Sequence, residues 1–193
     1  MTHRRAGAIA SAAAVALAIA LVGCAANPEA EPNGYTSGDG TVSEFDRESR
    51  ADPIEFAGVD EFGTDRESQD YLGEVLVVNF WYAACPPCRV EAPWLEELSA
   101  KYSGEGVSFL GVNVRDSADT AKSFAETFGI GYPSLIDDQG AIALAFAGVA
   151  SPTAVPTTVV LDKHGRPASR IVGLIDKSVL ETLIVSALDE EYE

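Results

Sequence analysis

The sequence predicts an α/β fold in which helices cover both faces of a central mixed β-sheet. Apolar runs typical of buried strands alternate with stretches whose apolar residues recur every three or four positions, as in amphipathic helices. A hairpin pattern and a last amphipathic helix then follow, which adds antiparallel strands to the parallel β-α units. Residues 53–193 are expected to form this domain.

The first 23 residues have the pattern of an export signal. Arg4 and Arg5 precede an apolar run, and residues 21–24 read Leu-Val-Gly-Cys. This quartet resembles a bacterial lipobox, so residues 1–23 are expected to be a signal peptide and Cys24 to carry a lipid. The alternative is an uncleaved membrane helix over residues 6–23, since about 18 apolar residues approach the length that spans a bilayer.

Residues 24–52 are expected to join the lipid to the domain as a flexible acidic tether. The segment is rich in Pro, Gly, Ser, Asn and acidic residues and has no apolar periodicity. Such a segment buries too little apolar surface to offset the entropy of ordering it. Fully extended, it spans at most about 95 Å.

The clearest element of the domain is residues 74–82, an apolar run interrupted only by Asn79. This pattern is typical of a buried central strand. A helix is predicted to begin near Cys85, because the next apolar residues recur at helical spacing. Its expected inward face consists of Val90, Trp94, Leu95, Leu98 and Tyr102.

The remaining elements complete the sheet and its cover. The last helix is expected to start with a capping box formed by Ser178 and Glu181. The predicted elements are a strand at 107–114, a helix at 119–128, a short helix at 140–147, a hairpin of strands at 157–161 and 168–172, and a helix at 178–188.

Charge and cysteine content narrow the function. The net charge of −17 argues against binding to nucleic acid or to anionic lipid headgroups. With Cys24 assigned to a lipid, the three cysteines leave one pair, Cys85 and Cys88. A disulfide between residues three apart closes too small a loop to stabilise much, so its purpose is expected to be chemical.

The Cys85-Pro86-Pro87-Cys88 motif follows a strand and opens a helix, which suits thiol chemistry. A helix N-terminus favours thiolate over thiol, so Cys85 is the predicted nucleophile. Cys88 lies nearly one turn later and is predicted to resolve the mixed disulfide. Pro86 and Pro87 suit the first helical turn, where a missing N–H costs little.

Metal binding is an alternative for the same cysteines. A structural zinc site needs about four ligands, and the sequence has no second cysteine pair. Copper(I) can bind two thiolates and a histidine. Beyond the signal, His164 is the only histidine, and it lies in an Asp-Lys-His-Gly turn typical of a surface residue. The pattern therefore favours a redox disulfide without a metal or other cofactor.

Residues 78–93 read VNFWYAACPPCRVEAP and resemble the active-site motif of the ResA/TlpA-like (CcmG/DsbE-like) membrane-anchored thioredoxins. Residues 154–158, followed by the turn at 162–165, resemble the cis-proline loop and hairpin of that family. The resemblance covers roughly residues 53–188. It implies a thioredoxin fold with the TlpA-like N-terminal extension and central insertion.

The resemblance also implies substrate-binding residues. Pro156 matches a proline that is cis beside the active cysteines, and Val155 matches the residue whose backbone binds an extended substrate. Trp81 matches an aromatic residue that borders the thiols. Together with Pro86 and Pro87 these residues are the expected substrate contacts.

Glu91 is the candidate for proton handling. Ordinary thioredoxin has a buried aspartate six residues before the first cysteine, where this chain has Asn79, and an amide cannot carry that proton. Glu91 matches a glutamate that influences the thiols in ResA-like proteins and shares a helix face with Cys88. The alternative is a surface glutamate on a helix that also carries Glu96 and Glu97.

The implied activity is protein dithiol-disulfide exchange on the outer face of the cytoplasmic membrane. The resemblance implies a reductant of protein disulfides that receives electrons from a membrane thiol-relay protein, with apocytochrome c as one substrate class. A thiol oxidase or isomerase, a copper(I)-delivery protein and a non-catalytic lipoprotein remain alternatives. Tyr82 disfavours a peroxidase, whose motif has Thr or Ser there. Tyr82 and Ala84 also replace the family's more common Ala and Trp.

Overall fold

The apolar run predicted as the central strand, Val75–Trp81, is buried along its whole length and pairs with strands on both sides. The computed structural model describes residues 34–151 and 154–191. Their strands are β1 (Gly34–Thr36), β2 (Val42–Phe45), β3 (Ala57–Val59), β4 (Asp65–Glu67), β5 (Val75–Trp81), β6 (Val107–Asn113), β7 (Ser134–Ile136), β8 (Thr157–Leu161) and β9 (Pro167–Val172). Their α-helices are α1 (Pro86–Tyr102), α2 (Ala118–Phe128), α3 (Ala141–Ala145) and α4 (Lys177–Leu188).

Seven of these strands form one mixed sheet in the order β1-β2-β9-β8-β5-β6-β7. β5, β6 and β7 are parallel, because α1 and α2 return the chain to the same end of the sheet. β8, β9, β2 and β1 continue the sheet in antiparallel order. β3 and β4 form a separate hairpin.

Alternate residues of β5 face opposite sides of the sheet, and each side has its own core. Val75 and Val77 pack against α1 and α4, in the cluster that contains Leu98 and Ile184. Leu76, Val78 and Phe80 belong to the opposite core, which includes α3 and residues 54 and 56. The predicted mixed sheet with helices on both faces is therefore confirmed.

The expected tether is wrong from residue 34 onward. β1 and β2 form a hairpin, and β2 pairs with β9 from Val42↔Ile171 to Glu44↔Ser169. Backbone hydrogen bonds to the free edge of β9 order this segment although its side chains offer little apolar surface. That is why composition and periodicity missed it. The signal, Cys24 and the rest of the tether lie outside the described residues.

The segment that follows β2 is fixed by a buried arginine. The Arg50 side chain is only 5% exposed and contacts Asp162 at 3.0 Å and Glu190 at 2.6 Å. Asp162 lies in the turn between β8 and β9, and Glu190 follows α4. Arg50 therefore joins the N-terminal extension to both the hairpin turn and the C-terminal end of the domain.

Two helix details differ from the predictions. In α1, Val90 is 49% exposed, because the inward stripe runs through Cys88, Glu91, Leu95 and Leu98, and Val90 lies off that line. The capping residue of α4 is Asp176, which accepts hydrogen bonds from the N–H groups of Ser178 and Val179. Glu181 instead accepts a hydrogen bond from Tyr102 at 3.0 Å and pairs with Lys101.

The short strands β3, β4 and β7 were not predicted, since three residues give no readable periodicity. Within the described part of the chain, no helix has both the length and the apolar character needed to cross a membrane.

Candidate active site

The cysteine pair lies where β5 gives way to α1. Cys85 is the capping residue of α1, and Pro86 and Pro87 occupy its first turn, as predicted. Cys85 and Cys88 form a disulfide with their Cα atoms 5.3 Å apart. The Cys88 N–H donates to Sγ of Cys85 at 3.2 Å. On reduction this N–H and the helix dipole would stabilise a thiolate on Cys85 rather than on Cys88.

The oxidised pair is covered by neighbouring side chains. Cys85 is 1% exposed and Cys88 is 2% exposed. Both belong to a cluster against which Tyr82, Phe128 and Val155 pack. In the oxidised state, little of either cysteine is therefore accessible to solvent.

The cis-proline loop lies beside this cluster. The Val155–Pro156 peptide bond is cis, as the family resemblance implied. The Pro156 carbonyl accepts a hydrogen bond from Gly173 at 2.8 Å, which ties the loop to the end of β9. Among the described residues, no hydrogen bond uses the backbone N–H or C=O of Val155. These two groups are available to an extended polypeptide next to the cysteines.

Glu91 is the buried acid of the site, and the alternative of a surface glutamate is wrong. It is 0% exposed. Its Oε1 accepts a hydrogen bond from the Asn79 amide at 2.9 Å, and its Oε2 accepts one from the Ile175 N–H at 3.2 Å. Burial raises the pKa of Glu91 to about 7, although both hydrogen bonds favour the carboxylate. Glu91 therefore changes protonation state near neutral pH, one helical turn from Cys88.

Comparisons with known proteins agree with this geometry. The model of the AhpC/TSA family matches residues 51–166. The thiol-disulfide oxidoreductase ResA of Geobacillus kaustophilus is 34% identical over 127 residues, which cover 66% of this chain and 71% of that protein. The chain belongs to the ResA-like thiol-disulfide oxidoreductases of the AhpC/TSA family.

Solved structures of other thiol-disulfide oxidoreductases share the thioredoxin-like fold of this ResA-like protein. A secreted thiol-disulfide isomerase from Corynebacterium glutamicum superposes with a TM-score of 0.74 at 30% identity, covering 81% of this chain and 98% of that one. A DsbF homologue from Corynebacterium diphtheriae gives a TM-score of 0.71 at 34% identity, covering 79% of this chain and 96% of that one. Oxidoreductases of this fold work through a redox-active cysteine pair, which the Cys85–Cys88 disulfide matches.

Trp81 of the ResA-like site is buried in the same cluster as the two cysteines. It is 6% exposed, and its indole N–H donates to the Ser134 hydroxyl at 3.2 Å. Its ring lies 4.3 Å from that of Phe124. Pro86, by contrast, is exposed, and Pro87 is half-buried. Trp81 therefore supports the site from the core, whereas the prolines remain at the surface.

No sequence pattern points to the residues that hold the loop before Cys85. The Ala83 N–H donates to Asp116 at 2.6 Å, and the Ala83 carbonyl accepts from Arg89 at 3.2 Å. The side-chain amide of Asn113 also donates to Asp116, at 2.9 Å. Since Asn113 pairs with Trp81 in the parallel register of β5 and β6, only the strand pairing brings these residues to the loop.

His164, considered as a third copper ligand, lies at the far end of the sheet. It follows the end of β8 where Leu161 pairs with Leu76, whereas Cys85 follows the opposite end of β5. The fold therefore does not bring His164 to the cysteine pair. The described residues contain no group of three or more His, Cys, Asp or Glu side chains arranged to hold a metal ion.

Proposed function

We propose that this ResA-like protein reduces disulfides of protein substrates outside the cytoplasmic membrane. The observation that carries the proposal is the Cys85–Cys88 pair at the start of α1, beside a cis-proline loop whose Val155 backbone groups have no partner among the described residues. The helix favours a nucleophilic thiolate, and the loop offers an edge to an extended chain.

In the proposed reaction, the Cys85 thiolate attacks one sulfur of the substrate disulfide, and the other substrate sulfur leaves as a thiolate. Cys88 then attacks the Cys85 sulfur of the mixed disulfide and releases the second substrate thiolate. Two electrons pass to the substrate, and the Cys85–Cys88 disulfide forms. A membrane thiol-relay protein is the proposed donor that returns the pair to the dithiol.

The proposed location rests on the N-terminal pattern. Residues 1–23 would serve as the export signal, and Cys24 would carry a lipid that holds the domain at the outer face of the membrane. A secreted relative in Corynebacterium glutamicum supports a position outside the cytoplasm. Within this proposal, apocytochrome c is one substrate class, since it would have to be reduced in that compartment before haem attachment.

The two-electron midpoint potential tests the direction of electron flow. The full chain carrying Cys24→Ser leaves Cys85 and Cys88 as its only cysteines. We expect a potential near or below about −250 mV in defined thiol-disulfide buffers, because a reductant must hold its electrons less tightly than its substrates do. A value above roughly −180 mV would instead make the protein an oxidase or isomerase.

Glu91 is proposed to accept the proton that Cys88 must lose before it attacks the mixed disulfide. The Cys88 thiol is buried, so water is a poor acceptor, whereas a carboxylate with a pKa of about 7 is suited to the task. We expect Glu91→Gln to slow the resolving step at pH 7 by about 100-fold and to remove the inflection near pH 7 from its pH–rate profile.

The Glu97→Gln variant is the matched control, because it makes the same chemical change on the solvent side of α1. Its rate and pH profile should equal those of the parent chain. An amide at position 91 keeps only one acceptor oxygen for its two N–H donors, so unfolding of the Glu91→Gln variant should be measured alongside. If that variant retains the inflection, Glu91 is not the proton acceptor.

A further inference from the structure

Two exposed arginines border the loop that leads into Cys85. The Arg115 guanidinium lies 4.1 Å from the centroid of the Tyr82 ring. The Arg89 guanidinium lies 5.1 Å from the Phe128 ring and donates to the Ala83 carbonyl. The Tyr82 carbonyl in turn accepts a hydrogen bond from the Cys85 N–H at 3.1 Å. Both arginines therefore contact the loop that holds the proposed nucleophile.

The other cationic side chains of the described residues have partners elsewhere. Six pair with carboxylates: Arg50, Arg66, Lys101, Lys122, Arg166 and Lys177. Three donate to backbone carbonyls: Arg47, Lys163 and Arg170. Within residues 34–151 and 154–191, the Arg115 side chain alone has neither a hydrogen-bond acceptor nor a carboxylate partner. Among these residues, the one cationic side chain without a polar partner therefore lies beside the proposed active site.

The acids near Arg115 are already engaged. Asp116 accepts hydrogen bonds from the Ala83 N–H and the Asn113 amide, so its carboxylate faces the loop. Asp119 pairs with Lys122 on α2 at 3.7 Å. Neither carboxylate lies within ion-pair distance of Arg115.

Stacking on Tyr82 prepares Arg115 for an anion. A guanidinium held on an aromatic ring keeps its planar set of N–H donors available, and that set matches the two oxygens of a carboxylate. Because the chain carries a net charge of −17, its overall field repels acidic partners. An attraction at Arg115 therefore acts only on a carboxylate brought close to it. The contact thus selects the position of an acidic residue in the bound substrate.

We propose that Arg115, seated on Tyr82 and assisted by Arg89, binds a carboxylate side chain that the substrate polypeptide carries beside its reactive cysteine. The proposal rests on the thiol-disulfide exchange proposed above and names a feature of its substrate. Tyr82 and Val155 pack against the same cysteine cluster, and the proposal takes the Tyr82–Arg115 pair to lie along the path of a chain bound at Val155.

The test compares two cyclic disulfide peptides that differ only in Glu or Gln beside the first cysteine. The full chain carrying Cys24→Ser is reduced, and the second-order rate of reduction of each peptide is measured. We expect the Glu peptide to react about fivefold faster, as a charge pair at about 4 Å in water implies. Arg115→Gln should bring this ratio to about one, and Arg115→Lys should restore part of it.

Lys101→Gln is the matched control, because it also removes one positive charge. Lys101 lies near the far end of α1, about 24 Å from Cys85 along the helix axis. This substitution should leave the preference for the Glu peptide intact. A preference that is absent from the parent chain, or that survives Arg115→Gln, overturns the proposal. So does an equal slowing of both peptides by Arg115→Gln, since Arg115 would then act on the Cys85 thiolate. If the parent chain reduces neither peptide, the proposed function itself fails, and this inference fails with it.

Discussion

The Cys85→Ser variant is expected to lose thiol-disulfide exchange, with a fall in rate of at least about 10³-fold. A serine hydroxyl is not ionised near neutral pH, so the attack on the substrate disulfide has no nucleophile. Cys88 is not expected to replace it, because the helix N-terminus and the Cys88 N–H stabilise a thiolate at the Cys85 position and not at Cys88. The rate is measured as reduction of a protein disulfide substrate.

The Cys88→Ser variant should fail in a different way. Its Cys85 still attacks the substrate, but nothing resolves the product, so a covalent protein–substrate complex accumulates and disappears on treatment with a thiol. The Cys24→Ser variant should exchange normally and serves as the control for loss of a cysteine. Trapping by Cys85→Ser instead of Cys88→Ser would reverse the two assigned roles.

Removal of the Arg50 side chain should lower the free energy of unfolding by about 3 kcal/mol, the low end for breaking a buried ion pair. Arg50→Ala leaves the buried Asp162 and the partly buried Glu190 without their shared cation. Asp162 keeps Arg166 as a second partner, which limits the loss. Urea unfolding at pH 7 gives the value. Lys177→Ala, which breaks an exposed pair with Glu97, should cost at most about 1 kcal/mol.

The effect of Arg50 should also depend on pH. Burial pushes the pKa of Asp162 up, but hydrogen bonds from the Arg166 backbone and from Arg50 outweigh it and hold the pKa below its usual value. A lowered pKa in the folded state contributes stability above the unfolded value of 3.8, and acid removes that contribution. The difference between Arg50→Ala and the parent chain should therefore be full at pH 7 and shrink below about pH 4. A difference independent of pH would mean that Asp162 is not the partner that matters.

The parts of the fold that could be predicted are those in which burial produces a regular spacing of apolar residues along the sequence. β5 is buried on both faces and is therefore apolar except at Asn79, and the stripe of α1 recurs at helical spacing. The cysteine motif was readable because its chemistry lies within one helical turn. Even there, Val90 was misplaced, since the buried stripe passes through Cys88 and the charged Glu91, which a search for apolar residues overlooks.

The parts that could not be predicted depend on contacts between distant segments. β2 is ordered by backbone hydrogen bonds to β9, to which any sequence can contribute. Asp116 reaches Ala83 only because β5 and β6 pair in a particular register. The buried Glu91 accepts hydrogen bonds from Asn79 and Ile175, which are distant from it in sequence. No local sequence pattern indicates these contacts.

The pairing of β2 with β9 shortens the linker between the proposed lipid and the folded domain. Nine residues separate Cys24 from Gly34, where β1 begins, and nine residues extend to at most about 30 Å. The linker expected from the sequence, about 95 Å long, would let the domain occupy a volume roughly thirty times larger. Confinement to the smaller volume raises the effective concentration of the domain toward partners in the same membrane by a similar factor. Under the proposed lipid attachment, the N-terminal hairpin thus limits the distance from the bilayer at which this oxidoreductase can reach a disulfide.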